Sequence, residues 1–193
     1  MLAKRDYNEK EAVRYFSLAA LAYCEPEKIM AKDCCDASRM VEDQGIQLIF
    51  SDDNDLTINQ NIYVIGKYEP EKKIIVAFSG TSNVAQFMIE AVKSYLTDYD
   101  LHDVQTNTRA VKYIDSLYSF RRKSFANRVM KVLEQYPDYS LVITGHSLGG
   151  AIATQASIDC ILGECVPEDN LTVYTFGALR IGNFKYSSIL TNR

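Results

Sequence analysis

The sequence has 193 residues, of which 47% are hydrophobic, and this suffices for one sizeable core. We therefore expect a single domain over residues 1–193. The formal net charge of -4, without any block of basic residues, argues against binding to nucleic acids. No apolar run reaches the roughly 18 residues that a transmembrane helix needs, so none is expected.

The first predicted element is an amphipathic helix near the N-terminus. Acidic residues precede the apolar stretch Tyr15–Cys24, so we interpret it as a helix and expect no signal peptide in this chain. Asn8 is the predicted N-cap, and Glu11 stands three residues later, as in a capping box. Apolar residues recur at helical spacing and mark the expected buried face: Val13, Phe16, Ala20 and Tyr23. The compartment is left open.

The cysteines are too few and too irregularly spaced for a zinc site, and their number is odd: Cys24, Cys34, Cys35, Cys160 and Cys165. Two interpretations stay open. Either all are reduced thiols, or the domain is oxidised and secreted and one partner cysteine lies outside this chain. No metal and no cofactor is expected.

Further along the chain, strands alternate with helices. Residues 31–60 show the least regular pattern. Strands are predicted at 61–68, 73–78, 139–144 and 171–176, and helices at 82–96, at 124–137 and from the glycine-bounded turn to about Leu162. The strand 73–78 is apolar throughout and should lie centrally. This alternation predicts a three-layer α/β fold with a mostly parallel sheet covered on both faces.

The turn after the third predicted strand reads Gly145-His146-Ser147-Leu148-Gly149. This G-x-S-x-G pattern is typical of a nucleophile elbow, in which a sharp turn from strand to helix exposes the serine hydroxyl. The N–H groups at the start of the following helix can stabilise the oxyanion that forms when the serine attacks a carbonyl. The pattern therefore predicts a serine nucleophile at Ser147 and an oxyanion donor at Leu148.

Three stretches resemble the class 3, fungal-type lipase family of α/β-hydrolases. They are IIVAFSGTSNVAQF (74–87), YPDYSLVITGHSLGGAIAT (136–154) and VYTFGALRIGN (173–183). The resemblance implies an α/β-hydrolase fold and hydrolysis of lipid esters, such as triacylglycerols. Members of this family are commonly extracellular. It also implies that Ser147 is the nucleophile and that Thr81 donates a second hydrogen bond to the oxyanion. Residues 82–92 stand where the family has its mobile lid, so contact with a lipid interface is expected through Val84, Phe87, Met88 and Ile89.

A general base and an acid are not evident in this chain. His146 adjoins the serine, where neighbouring side chains diverge, and His102 precedes it, whereas this fold supplies acid and base afterwards. Among the acidic residues after the serine, none follows a later strand: Asp159, Glu164, Glu168 and Asp169. By resemblance, both missing residues would lie downstream of Arg193. The chain looks like the front two thirds of a lipase domain, and we expect it to be inactive alone.

The sequence leaves two alternatives to an esterase of lipase type. One is a lipase-like protein without catalytic activity that only binds its ligand. The other is a different α/β-hydrolase, such as a thioesterase or peptidase, and the Gly80-Thr81 and TFGALRIGN stretches disfavour it. We expect Cys24 to pair with a cysteine beyond Arg193 in any complete, oxidised form. We also expect the strand 171–176 to have an unpaired edge that promotes aggregation.

Overall fold

The computed structural model of the protein describes residues 7–51, 63–80, 96–98, 109–119, 122–163 and 165–191. The helices are α1 (Glu9–Leu21), α2 (Pro26–Met30), α3 (Cys35–Asp43), α4 (Lys112–Ser119), α5 (Arg122–Gln135), α6 (Leu148–Leu162) and α7 (Phe184–Thr191). The strands are β1 (Gln47–Ser51), β2 (Tyr63–Tyr68), β3 (Lys73–Phe78), β4 (Leu96–Asp98), β5 (Arg109–Val111), β6 (Ser140–His146) and β7 (Leu171–Phe176). The helix predicted at 82–96 lies outside the described residues except for Leu96, which begins β4.

Five strands form the main sheet, in the order β1-β2-β3-β6-β7. The pairings β3–β6 and β6–β7 are parallel, whereas β1–β2 and β2–β3 are antiparallel. The sheet is therefore mixed rather than mostly parallel, because only a tight turn through residues 69–72 joins β2 to β3 and such a turn reverses the chain. The prediction that β3 lies centrally is confirmed. The strand β1 falls in the segment that the sequence left irregular.

Helices cover both faces of this sheet, which confirms the three layers. Side chains alternate along β3, so that Ile74 and Val76 join one core cluster while Ile75 and Ala77 join the other. The first cluster contains residues of α4, α5 and α6, and the second contains residues of α1, α2 and α3. The main sheet is thus packed between α4, α5 and α6 on one face and α1, α2 and α3 on the other.

Helix α1 begins as predicted but buries a different face. The Asn8 side chain accepts hydrogen bonds from the N–H groups of Lys10 at 3.0 Å and Glu11 at 3.3 Å, so the N-cap is confirmed. The predicted inner residues are partly exposed instead: Val13 by 43%, Phe16 by 40% and Tyr23 by 40%. The apolar residues of the buried face are Ala12, Tyr15, Leu18, Ala19 and Leu21.

Two buried polar residues explain why hydropathy indicated the wrong face. Arg14 is buried on α1, where its guanidinium pairs with Glu71 at 2.8 Å and lies 3.8 Å from the centre of the Tyr68 ring. Ser17 is also buried, and its hydroxyl donates to the Arg14 carbonyl at 2.8 Å. The ion pair of Arg14 and the hydrogen bond of Ser17 offset much of the cost of burying them. Their polarity nevertheless conceals the buried face of α1 from a hydropathy pattern.

A second polar contact fixes α1 against the start of β3. The Lys73 ammonium donates to Glu11 at 2.8 Å and to the Tyr15 hydroxyl at 2.9 Å, and it also pairs with Glu71. Burial tends to lower the pKa of Lys73, but these hydrogen bonds outweigh burial and raise the pKa above its ordinary value. The charged network holds α1 in register with the sheet.

A disulfide joins Cys24 to Cys34, with the two Cα atoms 6.3 Å apart. The prediction that Cys24 pairs with a cysteine beyond Arg193 is therefore wrong. The short helix α2 turns the chain back after α1, and this brings Cys34 within the distance that a disulfide needs. Cys160 and Cys165 are free thiols.

Strand β7 lies at the end of the sheet order, and its side chains from Thr172 to Phe176 are only partly buried. An unpaired strand edge is a template for association with other chains. We expect the 193-residue chain on its own to aggregate or to melt over a broad temperature range, which size-exclusion chromatography and a thermal melt would measure. A sharp, reversible melt of a monomer would contradict this expectation.

Candidate active site

Ser147 occupies a strained turn between β6 and α6. Its φ of 56° and ψ of -121° lie in a region that residues other than glycine rarely adopt. Its N–H donates to the Phe176 carbonyl of β7 at 2.9 Å, and its carbonyl accepts from Ala151 at 3.2 Å within α6. The Ser147 residue is half-buried, between an exposed His146 and a buried Leu148. This is the conformation that presents a serine hydroxyl above the end of a sheet.

The glycines on either side of Ser147 are required by close backbone packing. A Cβ atom on Gly145 would overlap the backbone of Gly149, and one on Gly149 would overlap the backbone of Phe78 and Ser79. The helix α6 can therefore begin directly against the end of β3 only because neither position has a side chain. The glycine spacing of the motif is explained by the sharpness of this turn.

The start of α6 and the end of β3 lie at the same edge of the main sheet, beside Ser147. Leu148 is the first residue of α6, and the first N–H groups of a helix have no partner inside it. The register pairs Phe78 of β3 with Gly145 of β6, so the chain leaves β3 at the level of the elbow. Gly80 packs against the elbow, because a Cβ atom there would lie 2.9 Å from the His146 carbonyl oxygen. Thr81 and the lid residues Val84, Phe87, Met88 and Ile89 lie outside the described residues.

His146 contacts α1 and its surroundings. Its Nδ1 is 2.8 Å from the Tyr23 hydroxyl, and its ring meets Phe16 edge to face with centroids 6.4 Å apart. Burial raises the pKa of Tyr23, although a hydrogen bond from the backbone of Gly80 opposes this. Tyr23 therefore connects the loop after β3 to the residue before Ser147. Sequence reasoning missed this contact because it placed Tyr23 in the core.

The acidic and histidine candidates do not form a triad among the described residues. Asp159 lies on α6, where Arg122 holds its carboxylate through contacts of 2.6 and 2.7 Å. This bidentate ion pair gives the Asp159 carboxylate a structural role. His102 and Glu164 lie outside the described residues. In the part of the chain that the structure describes, no cluster of His, Cys, Asp and Glu could hold a metal ion, and no helix is long and apolar enough to cross a membrane.

Gly149→Ala is expected to lower the free energy of unfolding by about 1–3 kcal/mol or more, because the added methyl group meets the rigid backbone of β3. Gly150→Ala is the matched control. Its Cβ would lie 2.8 Å from Ala178 Cβ and 3.0 Å from the Gly145 carbonyl oxygen, whereas a Cβ on Gly149 would lie closer still to the Phe78 carbonyl oxygen, so the loss should be smaller. Urea unfolding of the parent protein and of each variant measures both losses in the free energy of unfolding. Equal losses would contradict this account of the turn.

Comparisons with known proteins agree with this geometry. Residues 75–193 match the family described as Lipase (class 3). The lipase of Rhizopus niveus is 29% identical over 178 residues, which cover 90% of this chain and 43% of that protein. The secreted mono- and diacylglycerol lipase A of Penicillium cyclopium is 26% identical over 197 residues, covering 98% of this chain and 62% of that protein.

A solved triacylglycerol lipase, whose catalytic centre is described as a serine protease triad, has a TM-score of 0.80 and 26% identity to this chain. The match covers 97% of this chain and 69% of that structure. The chain thus spans less than half the length of the Rhizopus lipase and about two thirds of the solved one. Because the family match extends over more than half of its residues, this chain belongs to the class 3 lipase family and has the α/β-hydrolase fold.

Proposed function

We propose that the protein is a serine carboxylic-ester hydrolase of lipase type that acts on lipid esters such as acylglycerols. The observation that carries the proposal is the strained, half-exposed Ser147 at the start of α6. The relatives named triacylglycerol lipase and mono- and diacylglycerol lipase support the substrate class. A relative named as secreted and the Cys24–Cys34 disulfide support an oxidising compartment.

In this proposal Ser147 Oγ attacks the ester carbonyl carbon and the carbonyl oxygen becomes an oxyanion. The N–H of Leu148, at the positive end of the α6 dipole, donates a hydrogen bond to that oxyanion. Thr81 donates the second one, because it directly follows Gly80, which packs against the elbow. Collapse of the tetrahedral intermediate releases the alcohol and leaves an acyl group on Ser147, which water then hydrolyses.

The proton of the Ser147 hydroxyl must pass to a base, and a histidine oriented by a carboxylate is the usual one. His146 is unsuited to this role, since it adjoins Ser147 on the elbow, where neighbouring side chains diverge, and its ring packs against Phe16 of α1 and Tyr23. We propose that a histidine and a carboxylate outside residues 1–193 complete the triad. The apolar side chains Val84, Phe87, Met88 and Ile89 are proposed to contact the lipid surface, as members of a lid.

Labelling with a fluorophosphonate tests the proposal, because this reagent forms a covalent bond only with an activated serine. The protein as its gene encodes it should take up one equivalent, and peptide mapping should place the adduct on Ser147. A panel of acylglycerols and matched thioesters should show faster hydrolysis of the oxygen esters. Absence of labelling in a folded sample would instead support a protein that binds lipid without hydrolysing it.

A further inference from the structure

Two free thiols lie together where α6 ends. Cys160 is 1% exposed and belongs to the main core cluster, whereas Cys165 is partly buried and packs against that cluster. The chain reverses between them, because Gly163 N–H donates to the Asp159 carbonyl at 2.7 Å and Cys165 N–H donates to the Cys160 carbonyl at 2.9 Å. Neither thiol takes part in the chemistry proposed for Ser147.

This hydrogen bond places the two cysteines within reach of a disulfide. A direct N–H to carbonyl contact limits the separation of the two Cα atoms to about 7 Å, and disulfides usually join Cα atoms about 4.4–6.8 Å apart. Both side chains lie in the same hydrophobic cluster, because Cys160 belongs to it and Cys165 packs against it. Closing the bond therefore requires little movement of the backbone.

We infer that Cys160 and Cys165 are a redox-active dithiol that reacts with a low-molecular-weight disulfide and closes to an intramolecular disulfide. Cys165 is the attacking residue, since it is the more exposed of the two. Its thiolate attacks one sulfur of the reagent, the reagent's S–S bond breaks, and one thiolate leaves. Cys160 then loses its proton and attacks Cys165 Sγ, which releases the second thiolate. The protein loses two electrons and two protons, and the reagent is reduced to two thiols.

The electrostatics of the pair agree with this order. The hydrogen bond with Cys160 lowers the pKa of the Cys165 thiol, and the same contact together with burial raises the pKa of Cys160. Once Cys165 is in the mixed disulfide it carries no negative charge, so one cause of the raised pKa of Cys160 disappears. The buried thiol can then act as the resolving group.

The test uses the protein as its gene encodes it, with Cys35→Ser in every sample, titrated with reduced and oxidised glutathione. Cleavage after Glu164 separates the two cysteines, so their peptides stay joined in the mass spectrum only when the disulfide has formed. The folded protein should form this disulfide at a glutathione disulfide concentration at least about tenfold lower than the urea-denatured protein does, because the native turn pre-organises the pair.

Two variants identify the roles of the sulfurs. Cys160→Ala should accumulate the glutathione adduct on Cys165, and Cys165→Ser should leave Cys160 without an adduct. A persistent adduct on Cys165 in the parent protein would overturn the inference. So would faster modification of Cys160 than of Cys165, or equal midpoints in the folded and denatured samples.

Discussion

Ester turnover is expected to fall roughly 10⁶-fold when Ser147 is replaced with Ala in the protein as its gene encodes it, with little change in KM. The methyl side chain cannot form the acyl intermediate, whereas the proposed oxyanion donor Leu148 N–H is a backbone group that the substitution leaves in place. Initial rates on one acylglycerol, with burst-phase measurements to detect the acyl-enzyme, provide the test.

Ser157→Ala is the matched control for this experiment. Ser157 lies on the same helix, is buried, and donates to the Ala153 carbonyl at 2.6 Å, so its removal costs stability without touching the elbow. We expect turnover to stay within about threefold of the parent and stability to fall by about 1 kcal/mol. If Ser147→Ala kept more than about one hundredth of the parent turnover, another nucleophile would have to be sought.

The elbow was predictable from sequence because its requirements are local. The two positions where close backbone packing requires glycine, 145 and 149, lie within one five-residue stretch of the chain. The apolar strand β6 leads directly into that stretch, so a short sequence pattern is enough to identify the turn. The α/β layers followed from the alternation of elements for the same reason. The pairing of β1 could not be predicted because β1 comes from a segment with little hydrophobic periodicity, whereas the short turn between the two predicted strands already implied the antiparallel β2–β3 pair.

The features that sequence reasoning missed depend on contacts between distant segments. The inner face of α1 includes Arg14, whose burial makes sense only once Glu71 and the Tyr68 ring are placed beside it. Likewise, Tyr23 has the pattern of a core residue but contacts His146, which lies 123 positions away. The partner of Cys24 depended on the path of α2, which hydropathy does not specify.

The 193-residue chain alone is expected to hydrolyse esters at a rate near assay background. Of the residues that the structure describes, only His146 is a histidine, and it adjoins Ser147, where neighbouring side chains diverge, with its ring packed against Phe16 and Tyr23. Without a general base, turnover falls roughly 10⁶-fold, and the oxyanion donors and binding leave about 10³ to 10⁴ over water.

The measurement compares this chain with the protein as its gene encodes it, on the same ester and at the same concentration of folded protein. The longer or complete form should hydrolyse the ester and take up fluorophosphonate, whereas residues 1–193 should do neither at an enzymatic rate. His102→Ala in the 193-residue chain is the decisive variant. Enzymatic turnover by that chain, abolished by His102→Ala, would identify His102 as the base and would show that the order of serine, acid and histidine typical of this fold does not hold here.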